Sequence, residues 1–191
     1  MRLCFATNSH HKREEVMAVL GGTFQLVTLA EVGCTEELPE TQETIAGNAY
    51  QKAAYVWNHY KIPCFADDTG LEVEALGGAP GVFSARYAGP QRNSKDNLNL
   101  LLKKMERIRN REAQFRTVIS LILPQGEWFF EGIVKGVILT ESRGTAGFGY
   151  DPVFQPHASV KTLAEMSMQE KNEISHRALA VKQLAGFLSS L

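Results

Sequence analysis

The chain has 191 residues, 44% hydrophobic and 21% charged, and its 20 Lys and Arg against 21 Asp and Glu leave a formal net charge of -1. That length can bury a sizeable core in one domain or two closely joined lobes, and the charge balance argues against broad attraction to nucleic acid or anionic membrane, so any phosphate binding must be local. No apolar run is long enough to span a bilayer and no charged-then-apolar leader opens the chain, so the expected location is cytoplasmic.

Residues 2–6 read as a short buried strand. Residues 12–20 read as a helix with Val16, Met17, Val19 and Leu20 at helical spacing behind a charged face. Gly21 and Gly22 stop it, and residues 24–29 return as a strand, which makes the first unit βαβ. A polar stretch over residues 35–43 leads into a helix over residues 45–60, striped by Ile45, Ala49, Ala53, Val56, Trp57 and Tyr60. After Pro63, the apolar run Cys64-Phe65-Ala66 is a strand that breaks at Asp67-Asp68-Thr69-Gly70, with a second strand over residues 71–76, so the two acids are expected at a strand end.

Gly77, Gly78, Pro80 and Gly81 form a loop, and residues 95–108 a helix with Leu98, Leu101, Leu102 and Met105 inward. A β-rich half follows. Phe115, Thr117, Ile119, Leu121 and Leu123 alternate along one strand, Pro124-Gln125-Gly126 turns it, and residues 128–138 form another in which Gly132 and Gly136 predict bends or a bulge. Residues 144–150 read as a glycine-rich loop and residues 174–188 as the final helix. This order predicts an α/β protein, a long mixed sheet flanked by helices, with two lobes around a substrate cleft as the expected arrangement and no clean boundary inside a single 1–191 domain. Cys4, Cys34 and Cys64 cannot all pair within one chain and lack the close spacing of a zinc site, so they read as packed thiols.

Four segments carry candidate chemistry. Thr7, Asn8, Ser9, His10, His11 and Lys12 join the first strand to the first helix, where backbone N–H groups and the helix dipole attract phosphate; the same residues also suit a simple cap, and adjacent histidines point apart on a helix. Asp67 and Asp68, with Glu40 and Glu43 upstream, are hard oxygen donors of the kind that hold magnesium against substrate phosphates, although paired acids also form turns. Gly147-Phe148-Gly149-Tyr150-Asp151-Pro152 combines flexible backbone, two aromatics able to stack on a purine, and an acid; a tight turn with core aromatics is the alternative. Lys171 with Ser175-His176-Arg177 places donors at a helix start, suited to a base, a phosphate or an ordinary cap.

Taken in order, these segments resemble the Ham1 family of inosine triphosphate pyrophosphatases, also called dITP/XTP pyrophosphatases. The resemblance rests on Ala6-Thr7-Asn8 through Lys12, Leu38-Pro39-Glu40, Asn48-Ala49 with Lys52-Ala53, Ala66 to Leu71, Leu76 to Gly81, Ser84-Ala85-Arg86-Tyr87, Gly147 to Phe154, and Glu170-Lys171 with Ile174 to Arg177. It implies a homodimer of elongated α/β subunits that hydrolyses the noncanonical purine nucleotides ITP, dITP and XTP to monophosphate and pyrophosphate, with Mg2+ as cofactor. It assigns Asp68 as general base and metal ligand, Glu40 as a second ligand, and Asp67 as a neighbour in the metal site. The loop from Thr7 to Lys12 would hold the triphosphate, with Lys52 and Arg86 as helpers, while Thr69, Phe148, Gly149, Tyr150, Asp151, Lys171, His176 and Arg177 would line the substrate, the later ones around the base. Ile45 and Gly47 depart from the family pattern, where many bacterial members carry phenylalanine and glutamate shortly before the Asn-Ala pair. The competing readings are a Maf-like nucleotide pyrophosphatase of other specificity and a nucleotide-binding module without turnover; a nucleic-acid-binding protein lacks the basic face it would need.

Overall fold

The computed structural model describes residues 2–20 and 24–191. The expected helix stop at Gly21 and Gly22 lies outside the described residues. Among the described residues, five α-helices and seven strands follow in this order: β1 (Arg2–Phe5), α1 (His10–Leu20), β2 (Gln25–Val27), α2 (Ile45–Tyr60), β3 (Cys64–Val73), β4 (Pro80–Gly81), α3 (Ser94–Met105), β5 (Glu112–Leu123), β6 (Gly126–Ile138), β7 (Phe154–Pro156), α4 (Met168–Ile174) and α5 (His176–Ser189). Hydrogen bonding orders the mixed sheet β2-β1-β3-β5-β6-β7, with β4 paired to β3. The α/β reading and the opening βαβ unit hold, since β1 pairs in parallel with both β2 and β3.

The chain divides into two compact units. The first comprises Met1–Asp68, Thr117–Gly132 and His176–Leu191, and the second Thr69–Arg116 and Ile133–Ser175. In the first unit the period of two along each strand sends alternate side chains to opposite faces. Leu3, Phe5, Phe65, Ile119, Leu121 and Leu123 pack on one face with Val16 and Leu20 of α1 and Val181, Leu184 and Leu188 of α5. Cys4, Ala6, Cys64, Ala66 and Ile122 pack on the other with Ala53 and Val56 of α2 and with Leu29, Cys34 and Leu38. The unit is therefore three layers, with α1 and α5 on one side of the sheet and α2 on the other.

In the second unit, Leu98, Leu101 and Met105 form the buried side of α3, as their spacing predicts. Phe115 meets Phe154 edge-on at 4.7 Å, and the Tyr150 hydroxyl donates to the Ser84 carbonyl at 2.8 Å. Ser84 Oγ in turn donates to Gly81 O at 2.6 Å and accepts from Leu71 N at 2.9 Å, which pins the short β4 segment to β3.

Two expectations are corrected. Asp67 and Asp68 do not end a strand, because β3 runs unbroken from Cys64 through Val73 and only Glu74–Leu76 leaves it, as a 3-10 turn. The charges that look like a break are paired on both faces of the sheet, so tertiary partners override the low strand propensity of Asp. Gly132 and Gly136 do not interrupt β6. They admit close neighbours instead: a Cβ at Gly132 would lie 1.9 Å from His176 O, and one at Gly136 would lie 2.2 Å from Gln155 O. The final helix falls within two residues of its expected bounds, as α5, and a short helix that the sequence reading leaves out, α4, precedes it, separated by Ser175 in an extended conformation (ψ 150°). Ser167 starts α4 with a capping box that includes Glu170, a signal present in the sequence and not used.

Candidate active site

Strand alternation decides where the two acids point. Asp67 falls in phase with Phe65 and faces α1 and α5, while Asp68 falls in phase with Ala66 and faces α2. Sequence neighbours thus serve opposite faces of one sheet.

On the α2 face, Asn48 and Lys52 stand one turn apart on the buried side of the helix, flanked by Ala49 and Ala53. Asn48 Nδ2 donates to Asp68 Oδ2 at 3.2 Å, and its Oδ1 accepts from Gln42 N at 2.9 Å. Gln51 pairs with Thr41 through two further bonds of 2.9 and 2.8 Å. These bonds fasten the polar loop before α2 to the helix and so bring Glu40 Oε1 to 2.6 Å from Lys52 Nζ, which also lies 3.8 Å from Asp68 Oδ1 and donates to Asp67 O at 2.8 Å. Gly47 belongs to this loop closure: Thr44 caps α2 by accepting from Gly47 N, and a Cβ at 47 would sit 2.8 Å from Gln42 Cβ. Burial raises the Asp68 carboxyl above the usual aspartate range against the pull of Lys52 and Lys12, and Glu40 and Asp67 add to the rise.

On the opposite face, Asp67 Oδ1 accepts from Lys12 Nζ at 3.1 Å and Oδ2 from Arg177 Nε at 3.1 Å, and the other side of Arg177 pairs with Glu15. Burial alone would raise the Asp67 carboxyl, but Lys12, Arg177 and Lys52 together hold it well below the usual range. Asp67 is a fully committed ion-pair partner, and Arg177 sits inside this network with only 2% of its side chain exposed. The sequence reading gave neither Asn48 nor Glu15 a role. Asn48 was discoverable as a polar residue on an otherwise apolar helix face, whereas Glu15 carried no such signal.

The loop from Thr7 to Lys12 leads into α1, which begins at His10, two residues earlier than the spacing predicts. Thr7 Oγ1 accepts from Ser9 N at 3.1 Å and Ser9 Oγ from Lys12 N at 3.4 Å. Asn8 is exposed. His10 and His11 are exposed rings whose Nδ1 atoms lie 3.4 and 3.9 Å from Glu14, on the outer side of the helix. Of the six, Lys12 is the one brought to the acids.

In the second unit, Asp151 is 5% exposed and organises the glycine-rich segment. Its Oδ2 accepts from Lys171 Nζ at 2.7 Å and from Phe148 N at 2.9 Å. The Lys171 ammonium lies 5.2 Å from the Phe148 ring centroid. Gly147 has φ +74° and a Cβ there would meet Asp151 Oδ2 at 2.1 Å, so backbone and carboxylate can approach this closely only with glycine. Tyr150 is buried and donates into the unit core, which makes it a packing residue, while half-buried Phe148 presents the aromatic face. Gly149 (φ +62°) follows it. Thr69 opens this unit's share of β3. Arg86 stacks over Phe83 at 5.2 Å. His176, the first residue of α5, is buried in the first unit with its carbonyl against Gly132.

Magnesium takes oxygen ligands and typically draws one or two from protein carboxylates, completing its shell with substrate phosphate and water. Glu40 and Asp68 converge on Lys52 and fit that two-carboxylate pattern, and because burial outweighs the pull of the lysines on Asp68, a further cation beside it is favoured. Among the described residues no three His, Cys, Asp or Glu side chains gather into a metal-holding group, so a closed all-protein cage is not the pattern here. A cavity of about 380 Å³ in the second unit, lined by Glu72, Glu74, Glu112 and Lys135 among others, contains none of the predicted site residues.

The same chain matches known proteins along nearly its whole length. It is 53% identical over 188 residues to a dITP/XTP pyrophosphatase from Porphyromonas gingivalis, covering 98% of this chain and 97% of that one. It is 50% identical over 190 residues to a dITP/XTP pyrophosphatase from Flavobacterium johnsoniae, covering 100% and 99%. The solved structure of a HAM1 protein from Coxiella burnetii superposes with a TM-score of 0.92 at 34% identity, covering 100% of both chains. The family model described as "Ham1 family" matches residues 3–187, and the chain belongs to the Ham1 family.

Proposed function

We propose that this protein hydrolyses noncanonical purine nucleoside triphosphates, dITP, XTP and ITP, to the monophosphate and pyrophosphate. The observation that carries the reading is the cluster in which Asp68, Glu40, Lys52, Asn48 and Lys12 meet around β3, together with full-length similarity to proteins named dITP/XTP pyrophosphatase.

Asp68 is the general base. Burial raises its carboxyl, which moves its proton affinity toward that of a working base, and Asn48 fixes one carboxylate oxygen while the other is left toward Lys52. The attacking water forms a bond from its oxygen to the α-phosphorus, its proton passes to Asp68, and the bond from the α-phosphorus to the pyrophosphate oxygen breaks. Lys12 and Lys52 place positive charge where the triphosphate and the departing pyrophosphate carry negative charge. Glu40 and Asp68 would hold Mg2+, which when bound neutralises phosphate charge and lowers the pKa of water. Phe148 offers a stacking face, and Lys171, held by Asp151, offers a donor that a keto purine accepts from and an amino purine does not. Family resemblance further supports a homodimer, and among the described residues no helix is long and apolar enough to cross a membrane.

The test is product analysis with ITP, XTP, dITP, GTP, ATP and dTTP, with and without magnesium. The expected result is pyrophosphate release from the first three, dependent on the metal. Preference for dTTP would instead favour a Maf-like specificity, and metal-dependent binding with no pyrophosphate release would make the protein a binding module.

A further inference from the structure

Four charged side chains form a circuit on the α1 and α5 face of the first unit, three of them buried and the fourth, Lys12, half-buried. Lys12 pairs with Asp67, Asp67 with Arg177, and Arg177 with Glu15. Glu15 lies three residues beyond Lys12 on α1, one helical turn away, so the helix itself closes the circuit. Two acids and two bases cancel, which satisfies the need of a buried charge for a partner. Exposure along the circuit is uneven: the side chains of Glu15, Arg177 and Asp67 are 4, 2 and 0% exposed, while that of Lys12 is 16% exposed. Three members are sealed and the fourth reaches out.

The geometry gives each sealed member one task. Asp67 spends one carboxylate oxygen on each cation, so the direction of Oδ1, and with it the seat of the Lys12 ammonium, follows from how Arg177 holds Oδ2. Arg177 offers a rigid planar fork, and Glu15 pairs with its Nη1 while Asp67 pairs with its Nε, so two carboxylates fix the plane of the guanidinium. Lys12 additionally reaches the Asp67 carbonyl at 3.4 Å, so the strand segment that carries Asp68 is tied into the same circuit. Without Glu15, Arg177 would lose one buried carboxylate partner and lean more strongly on Asp67, in competition with Lys12.

We propose that Glu15 and Arg177 are positioning residues that act through Asp67 to seat the Lys12 ammonium at the triphosphate, rather than Arg177 reading the base. This rests on the pyrophosphatase reading for its turnover measurements, but the placement of Lys12 for phosphate does not depend on which base is attached.

The experiment compares full-length wild type with Glu15→Gln, Arg177→Lys, Arg177→Met and the double variant Glu15→Gln/Arg177→Met. It measures kcat and KM with dITP and with dATP, binding of inorganic tripolyphosphate by calorimetry, and the melting temperature. The expected result is a loss of kcat on the order of 10²-fold from misplacement of a charged group, by the same factor for both nucleotides, so the dITP to dATP ratio of kcat/KM stays within about twofold. Tripolyphosphate affinity falls by about tenfold or more, Arg177→Lys recovers part of both losses, and the double variant is no worse than its worse parent. Collapse of the dITP to dATP ratio with unchanged tripolyphosphate binding would overturn the proposal in favour of base reading. A lowered melting point with unchanged kcat and binding would overturn it in favour of a purely structural pair. Glu15→Gln is nearly isosteric and carries the test if Arg177→Met does not fold. If wild type releases no pyrophosphate from any purine nucleotide, the functional reading fails, and the tripolyphosphate arm still decides the positioning role; absence of tripolyphosphate binding by wild type would overturn that as well.

Discussion

Adjacent acids on opposite faces of one strand should respond oppositely to the same substitution. Asp67→Asn removes the charge that Lys12 and Arg177 share in a side chain with 0% exposure. Breaking a buried ion pair from one side costs about 3–5 kcal/mol, because the partners' charges remain behind. At about 2–4 °C per kcal/mol for a chain of this size, the melting temperature should fall by roughly 6–20 °C. Asp68→Asn is the converse case. Burial disfavours the ionised form of Asp68, so an amide that keeps the shape should leave the melting temperature unchanged or raise it, while abolishing turnover. The acid limb separates them again. The Asp67 carboxyl is depressed, so its contribution is full above the ordinary aspartate range and is lost as pH falls below it; Asp67→Asn should flatten that loss. The Asp68 carboxyl is raised, so the wild-type fold loses stability as pH rises through its folded value, and Asp68→Asn removes that slope. Differential scanning calorimetry from pH 3 to 8 with parallel pyrophosphate assays measures both. Equal destabilisation by the two variants would refute the opposite-face assignment.

Asn48→Asp replaces the amide donor to Asp68 with a like charge, and should lower kcat by about 10²-fold with a normal circular dichroism spectrum; a wild-type rate would remove Asn48 from the site. Gly132→Ala puts a methyl 1.9 Å from the His176 carbonyl, so urea midpoints should report about 1–3 kcal/mol of destabilisation from forced backbone movement, and an unchanged midpoint would show that α5 can yield. Burial pushes the Cys4 and Cys64 thiols up to about 12, so at pH 8 their thiolate fraction is about 1 in 10⁴ and neither should react with iodoacetamide until urea opens the fold; labelling of the native protein at either would contradict their burial. Asp151→Asn weakens the hold on Lys171 and on the Phe148 amide, and should raise KM for dITP more than it lowers kcat, whereas an unchanged KM would detach this segment from substrate.

The elements of the fold were legible where a single period governed the sequence. Helix α2 begins and ends at the residues its stripe predicts, and α3 buries the predicted leucines. Reading failed where tertiary partners override local preference. Asp67-Asp68-Thr69-Gly70 reads as a break because Asp and Gly are poor strand formers, yet Lys12, Arg177, Lys52 and Asn48 supply partners on both faces and the strand continues. The glycines of β6 read as interruptions of the strand because nothing in the sequence reports that another backbone passes within contact distance. For the site, order of motifs drew attention to most of its residues, but not to which face each one serves. That the two acids diverge follows from strand alternation, which could be applied only once the strand was known to continue. Glu15 is separated from its partner Arg177 by 162 positions, a pairing that helix periodicity alone cannot reveal.

The division of the chain into two units has a consequence for synthesis. Neither unit is a continuous stretch: the first is assembled from three segments, and its last one, His176–Leu191, brings α5 with Val181, Leu184 and Leu188 for the core and Arg177 for Asp67. On a ribosome the first unit therefore waits for residues 176–191 before the layer formed by α1 and α5 can close. A chain stopped before residue 176 would leave Phe65, Leu121 and Asp67 without α5, so a cut far from β3 in sequence strips one face of that strand of its cover.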